Sequence, residues 1–133
     1  MTREELSQIY YINKEIVMWE KELEHIREAS LMKSKEITDM PFANTNETGD
    51  PVAELAMKML DIEMIIVGKK KELEYKRMEI LKFINDVDDS MLRMIIKYRC
   101  IDCLSWNNVA AKIGGGNTED SCRMQFNRMF KKN

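Results

Sequence analysis

Three cysteines are the residues with the clearest chemical potential in this sequence of 133 residues. Cys100 and Cys103 have the C-x-x-C spacing of a zinc site, and Cys122 is a possible third ligand. A structural zinc site needs a fourth ligand, and the single histidine, His25, is far away in sequence. Because Cys122 falls on the apolar side of its segment, we interpret the three thiols as small buried hydrophobic groups, with a metal or redox role as the less favoured alternative. We predict no cofactor and no metal.

Catalytic groups do not assemble in the sequence. One histidine cannot supply a nucleophile and its base, and the chain has no G-x-x-x-x-G-K-S phosphate loop. The composition, with 44% hydrophobic and 33% charged residues and a net charge of -2, fits one compact domain or two small helical ones. We therefore expect a protein that is not an enzyme.

Base-reading chemistry is concentrated in one segment near the C-terminus. Arg123 is the strongest candidate, because its forked guanidinium can pair with the acceptors of guanine. Asn127 suits adenine or a phosphate, Met124 suits the methyl group of thymine, and Asp120 could accept from the amino group of cytosine. The alternative for Arg123 is a surface arginine paired with Glu119 and Asp120 at helical spacing.

Residues that could contact phosphates form a second group of candidates. A side chain that positions a protein on DNA in this way needs only a charge or a short polar group within reach of the phosphates. These candidates are Lys112, Arg128, Lys131 and Lys132 among the charged side chains, and Asn107, Asn108 and Thr118 among the short polar ones. Residues 88–133 carry 8 basic and 5 acidic residues, whereas residues 1–87 carry 13 basic and 18 acidic ones. The alternative for the terminal lysines is a purely solubilising role.

Two long amphipathic segments precede this basic region. Apolar residues recur at intervals of three and four, which predicts a helix from Thr2 to about Ser34. The pattern stops in a loop at residues 38–51 and returns from Pro51 to about Asn85, with Asp50 as the cap. We predict that residues 1–87 form a long antiparallel helical hairpin, a coiled coil that joins subunits or binds a partner. The alternative is a three- or four-helix core within a monomer.

The antiparallel arrangement makes one further prediction. The first helix ends opposite about Ile80, so Ile80, Phe83 and Val87 need another partner. That partner is either the C-terminal segment or a second chain.

Residues 88–133 are predicted to form three short helices. The first ends near Cys100, and the second begins after Ser105 and buries a face that includes Val109. Gly114 to Gly116 end it, and Asn117 or Thr118 caps the third helix. The inward residues of that helix are Cys122, Phe126, Met129 and Phe130. Two short helices joined by a glycine turn are typical of a helix-turn-helix, whose second helix enters the major groove. The predicted fold is therefore all-α.

The run from Arg93 to Ala110 resembles region four of sigma factors, in which a helix and a linker lead into Leu-Ser-aromatic-x-x-aliphatic-Ala. The matching positions are Arg93, Arg99, Leu104, Ser105, Trp106, Val109 and Ala110. Together with the long helices, this run resembles phage-encoded transcriptional regulators of the RinA and ArpU type. The resemblance implies a small DNA-binding activator of phage late or packaging genes in the host cytoplasm. Cys103 stands where the sigma pattern usually has glycine, and the glycine turn is about two residues longer.

These observations predict double-stranded DNA as a partner, a homo-oligomer such as a dimer, and contact with RNA polymerase or another protein. Two alternatives stay open. The acidic hairpin could make the chain an inhibitor or adaptor that binds a basic protein, or the chain could be a small-terminase-like packaging factor. No apolar run reaches the roughly 18 to 20 residues of a membrane-spanning helix, and three cysteines suit a reducing compartment. We expect a cytoplasmic protein without membrane contact.

Overall fold

The computed structural model describes residues 1–39 and 50–131, and within these residues it contains helices and no strand. The all-α prediction is confirmed. The helices are α1 (Arg3–Leu6), α2 (Gln8–Asp39), α3 (Pro51–Asn85), α4 (Ser90–Ile96), a π-helical turn (Lys97–Ile101), α5 (Trp106–Ile113) and α6 (Glu119–Lys131). The predicted loop lies largely outside the described residues. No helix in the described part of the chain is both long enough and apolar enough to cross a membrane.

The N-terminal helix is interrupted, which the sequence did not predict. Thr2 caps α1 as expected, because its Oγ1 accepts from the Glu5 amide at 3.2 Å while the Glu5 carboxylate accepts from the Thr2 amide at 3.0 Å. The helix then ends at Leu6, and α2 begins at Gln8. At the break, the Ser7 hydroxyl donates to the Glu4 carbonyl at 2.8 Å, a local bond of the kind that competes with helical pairing.

The start and end of α3 match the prediction. Asp50 caps the helix by accepting from the Val52 amide at 3.0 Å, and Pro51 occupies the first helical position, where no amide hydrogen is needed. The helix ends at Asn85. Asp89 then caps α4 by accepting from the Leu92 amide at 3.0 Å.

The chain divides into two compact units. The first combines Met1–Asn13 with the chain from Glu72 onward, and the second is Lys14–Lys71. This division differs from the predicted boundary after residue 87. The reason is that Leu6 and Ile9, near the N-terminus, share a buried cluster with the C-terminal helices.

The unit of residues 14–71 is held by apolar and charged contacts between α2 and α3. Its buried residues are Ile16, Ile26, Ile62 and Ile66. Two exposed or half-exposed ion pairs join the helices, Lys69 to Glu15 at 3.4 Å and Arg27 to Glu63 at 4.0 Å. Large apolar side chains on the same unit remain exposed to solvent, and these include Val17, Met18, Leu31, Met32, Met57, Leu60, Met64 and Val67.

The first unit has the main hydrophobic core. Its fully buried large side chains are Leu6, Ile80, Ile95, Ile96, Val109 and Cys122. Phe83 and Val87 are half-buried against the same cluster. The C-terminal helices therefore supply the partner that the end of α3 was predicted to need. Full burial of an aliphatic side chain stabilises a fold by about 1.5–3 kcal/mol, so these residues fix how α4, α5 and α6 pack.

Candidate nucleic-acid interface

The segment before α5 is fixed by backbone and side-chain hydrogen bonds. Arg99 donates from Nη1 to the Leu104 carbonyl at 2.9 Å, and Lys97 pairs with Asp102 at 2.8 Å. Cys103 adopts a left-handed backbone conformation with φ 56°. This is the position where the sigma pattern usually has glycine, the residue that tolerates this conformation best. Ser105 then caps α5, because its hydroxyl accepts from the Asn108 amide at 3.3 Å.

The turn between α5 and α6 depends on its glycines. Gly114, Gly115 and Gly116 have φ values of 69°, 63° and 79°, a conformation that side chains with a Cβ rarely adopt. Asn117 closes the turn by donating from Nδ2 to the Gly114 carbonyl at 2.8 Å. Because the Asn117 side chain is used in the turn, Thr118 is the one of the two predicted residues that caps α6.

The cap of α6 is reciprocal. The Thr118 hydroxyl accepts from the Ser121 amide at 3.1 Å, and the Ser121 hydroxyl accepts from the Thr118 amide at 3.0 Å. The side chain of Thr118 is thus used to begin the helix. A phosphate contact by Thr118 would add to this structural role.

The inward side of α6 is the one that its spacing predicted. Cys122 and Phe126 are buried, and Met129 and Phe130 are half-buried. The Phe126 ring lies edge-to-face against Trp106, with centroids 5.3 Å apart, and against Phe130 at 5.2 Å. Trp106 is therefore a packing residue between α5 and α6.

The outward side carries most of the predicted contact residues. On α6, Asp120, Met124 and Lys131 recur at helical intervals along one side, and Arg128 is also exposed. Asn107, Asn108 and Lys112 on α5 are exposed, and so is Thr118 at the start of α6. Arg123 and Asn127 are half-buried at the edge of this surface, and Lys132 lies outside the described residues. Because α5 and α6 contact each other, these side chains lie on two adjacent helices.

Arg123 is paired with both acids of the first turn of α6. Its Nη2 lies 2.7 Å from Oδ1 of Asp120 and 3.3 Å from Oε1 of Glu119. The structure thus shows the surface pairing that the sequence had left as the alternative for Arg123. The same pairing engages Oδ1 of Asp120, and the 85% exposed carboxylate keeps acceptor sites that could receive a cytosine amino group. A base contact by Arg123 has to use its other nitrogens or displace these carboxylates.

Arg123 and Asn127 also line a cleft of about 720 Å³ on the inner flank of α6. The opposite wall comes from α1 and the first turn of α2, including Arg3, Tyr10 and Tyr11. The sequence did not predict this arrangement, because it assigned the N-terminal residues to the hairpin. A signal was present, since the three-and-four spacing of the first stripe extends back from Ile9 to Leu6.

The cysteines are placed as packing residues. Cys100 and Cys122 are buried and Cys103 is half-buried. Burial raises the pKa of the Cys100 thiol to about 12 and also raises the pKa of Cys103. In the part of the chain that the structure describes, no group of three or more His, Cys, Asp and Glu side chains is arranged to hold a metal ion.

Comparison with known proteins gives no match, whether to a family model, to a curated protein or to a solved structure. The resemblance to phage regulators therefore stays a prediction. Any function for the surface of α5 and α6 has to be argued from its geometry and residue types.

Proposed function

We propose that this chain is a DNA-binding regulator of transcription, in which α5 and α6 form a helix-turn-helix and α6 enters the major groove. The observation that carries the proposal is the pair of short helices joined by three left-handed glycines, with an apolar inner side and a polar outer side on which Lys112, Arg128 and Lys131 are exposed. Helices joined in this way can present the second helix to a groove while the first crosses the backbone.

The residues divide by role according to their position on the two helices. Met124 and Asn127 lie one and two turns into α6, where side chains of a recognition helix approach base edges. Arg128 and Lys131 on α6 and Lys112 on α5 contact phosphates, and Lys132, which lies outside the described residues, is proposed for the same role. Arg123 reads guanine after exchanging its carboxylate partners for base acceptors. Asn107, Asn108 and Thr118 add neutral phosphate contacts.

The long helices serve to join subunits. In this proposal α2 and α3 form the antiparallel hairpin, and the exposed apolar side chains of residues 14–71 are covered by a second copy of the chain or by RNA polymerase. Dimers suit helix-turn-helix proteins, because two recognition helices then meet half-sites one helical turn apart. The proposed setting is the activation of phage late or packaging genes in the host cytoplasm.

A salt-dependent titration tests DNA binding. Fluorescence anisotropy with labelled genomic fragments should show binding that weakens as salt rises, and the variant K112Q/R128Q/K131Q should lower the slope of log K against log salt by about 2–3. The matched control K58Q/K70Q/K71Q removes three exposed lysines of α3. The proposal fails if the folded protein binds no fragment, or if the control variant lowers the salt slope as much as K112Q/R128Q/K131Q does.

A second candidate function is an inhibitor or adaptor that binds a basic protein. The net acidic charge of residues 1–87 and the exposed apolar side chains of residues 14–71 favour it. Deleting residues 88–133 is a poor test, because the deletion would uncover Ile80 and Ile84 of the shared core. The variant K112Q/R128Q/K131Q separates the two functions instead, because an adaptor keeps its biological activity when these bases are removed. A small-terminase-like factor would form a ring, so light scattering that shows a monomer or dimer excludes it.

A further inference from the structure

The cleft beside α6 has the composition of a ligand site, and DNA reading does not account for it. Its volume of about 720 Å³ falls within the roughly 300–1,000 Å³ of small-molecule sites. Its walls come from α1, the first turn of α2, the π-helical turn, α5 and α6, all within one compact unit. Such a concave site, with apolar rings and a few convergent polar groups, is the usual form of a small-molecule site.

The charged residues that line the cleft are all basic, and one of them, Arg123, is paired with Glu119 and Asp120 outside the lining. Three arginines line the cleft, Arg3 from α1, Arg99 from the π-helical turn and Arg123 from α6. None of the described residues that line it is acidic. Residues far apart in the sequence thus bring three arginines to the lining of one concavity, and guanidinium groups bind phosphate through paired donors.

Two of these guanidinium groups are held against aromatic rings. The Arg3 guanidinium carbon lies 5.0 Å from the centroid of Phe130, and that of Arg99 lies 4.7 Å from the centroid of Trp106. Stacking occupies the faces of a guanidinium group, whereas its N–H donors lie in the plane and point from its edges. One donor of Arg99 is used by the Leu104 carbonyl, which fixes the group further. Arg3 and Arg99 are therefore preorganised for an anion, while Arg123 is engaged by its carboxylates.

Aromatic side chains supply the other half of the site. Tyr10 and Tyr11 line the cleft, are 46% and 60% exposed, and contact each other edge-to-face with centroids 5.3 Å apart. The half-buried Trp106 lines the same cleft. A planar heterocycle stacks on such rings with little dependence on its identity.

We propose that this cleft binds a nucleoside monophosphate. Arg3 and Arg99 hold the phosphate, and the rings of Tyr10 and Tyr11 stack on the base. The same chemistry could be presented by a free nucleotide or by a nucleotide at the end of a strand. The proposal goes beyond the DNA-binding function and does not depend on it. Because Arg123 and Asn127 belong to both surfaces, a nucleotide in the cleft would also alter any binding of DNA by α6.

Isothermal titration of the full-length chain, without DNA, tests the proposal. The probes are AMP, GMP, CMP and UMP, with inorganic phosphate and adenosine as partial ligands. At least one nucleotide should bind saturably at one site per chain with a dissociation constant below about 1 mM, and each partial ligand should bind at least about tenfold more weakly. Binding by a short single strand but by none of the four nucleotides would assign the site to strand ends and overturn a free-nucleotide site.

Two variants locate the binding. R3Q should weaken nucleotide binding by roughly tenfold, because it removes a charged donor pair, and Y11A should weaken it by at least about threefold. The matched control R77Q alters an exposed arginine on α3 and should leave binding unchanged. Circular dichroism checks that each variant is folded. No saturable binding by any of the four nucleotides or by the short single strand, or equal losses in R3Q and R77Q, overturns the proposal. Arg3 lies outside the predicted DNA surface, so R3Q should bind DNA as the unaltered chain does. Measuring DNA binding separately therefore distinguishes failure of the nucleotide site from failure of the regulator function.

Discussion

Removal of the two acids in the first turn of α6 should strengthen non-specific DNA binding. The substitution E119Q/D120N frees Arg123 from carboxylates that lie 2.7 and 3.3 Å from its Nη2. The side chain of Arg123 is 41% exposed, and those of Glu119 and Asp120 are 50% and 85% exposed. Exposed pairs contribute only about 0.2–1 kcal/mol each, so the variant should stay folded.

The gain in DNA affinity follows from the same pairs. If Arg123 no longer gives up two partners on meeting a phosphate, binding improves by about 0.4–2 kcal/mol, or roughly 2- to 30-fold. Arg123 then counts as one more phosphate contact, which steepens the slope of log K against log salt by about 0.9. Loss of two acids near the helix N-terminus costs about 0.3–1 kcal/mol of stability for each acid.

Fluorescence anisotropy with a random-sequence duplex, between about 50 and 200 mM salt, measures both quantities. Random sequence is used so that a contact of Asp120 with one particular base does not obscure the effect of charge. The control E20Q/E28Q makes the same charge change on exposed residues of α2. Equal tightening in the control would show that only net charge matters. Unchanged or weaker binding by E119Q/D120N would refute the reasoning that α6 faces phosphate.

Further predictions concern the bases and the turns. R123A should weaken binding to cognate DNA by about 1–3 kcal/mol and should weaken binding to random DNA less, whereas K131A should weaken binding to the two DNAs equally. If R123A, like K131A, lost the same binding free energy on cognate and on random DNA, the base-reading role of Arg123 would be contradicted. C103G should raise the free energy of unfolding by about 0.5–1 kcal/mol in a urea titration, because Cys103 has φ 56°, and a decrease would show that its packing outweighs its backbone conformation. G116A should lower that free energy by about 1–2 kcal/mol through its positive φ alone, since open space surrounds the added methyl group, and an unchanged urea midpoint would contradict this. The pKa of Cys100, raised to about 12 from an ordinary 9.0, predicts slow alkylation by iodoacetamide at pH 8 in the folded protein, and alkylation as fast as in urea would contradict this. The same shift predicts a free energy of unfolding that falls as pH rises above about 9, because the thiol then ionises in the unfolded chain but not in the folded one.

The long helices were predictable because their signals are local. Asp50 followed by Pro51 set the start of α3, and an apolar period broken only at Lys69 and Lys76 predicted its end near Asn85. The inward side of α6 followed from the same period. The pairing of Arg123 was predictable too, because acids three and four residues earlier lie on the same helix side.

The features that the sequence missed depend on contacts between distant segments. Periodicity identifies Leu6 as apolar, but it does not say that Leu6 packs with Ile80 and the C-terminal helices. At the interruption, the Ser7 hydroxyl donates to the Glu4 carbonyl, a local bond that many serines could make and that an apolar pattern does not indicate. The cleft beside α6 was missed for the same reason, since Arg3 and Arg99 become neighbours of one cavity only after the N-terminus packs there.

The proposed DNA interface is the outer side of α5 and α6. Amide chemical shifts, recorded by NMR as a genomic duplex fragment is added to the full-length chain, test it most directly. The perturbed amides should cluster in residues 105–112 and 118–131, and the perturbations should fade as salt is raised. Perturbations confined to residues 14–71, or none at duplex concentrations that saturate ordinary helix-turn-helix proteins, would contradict it.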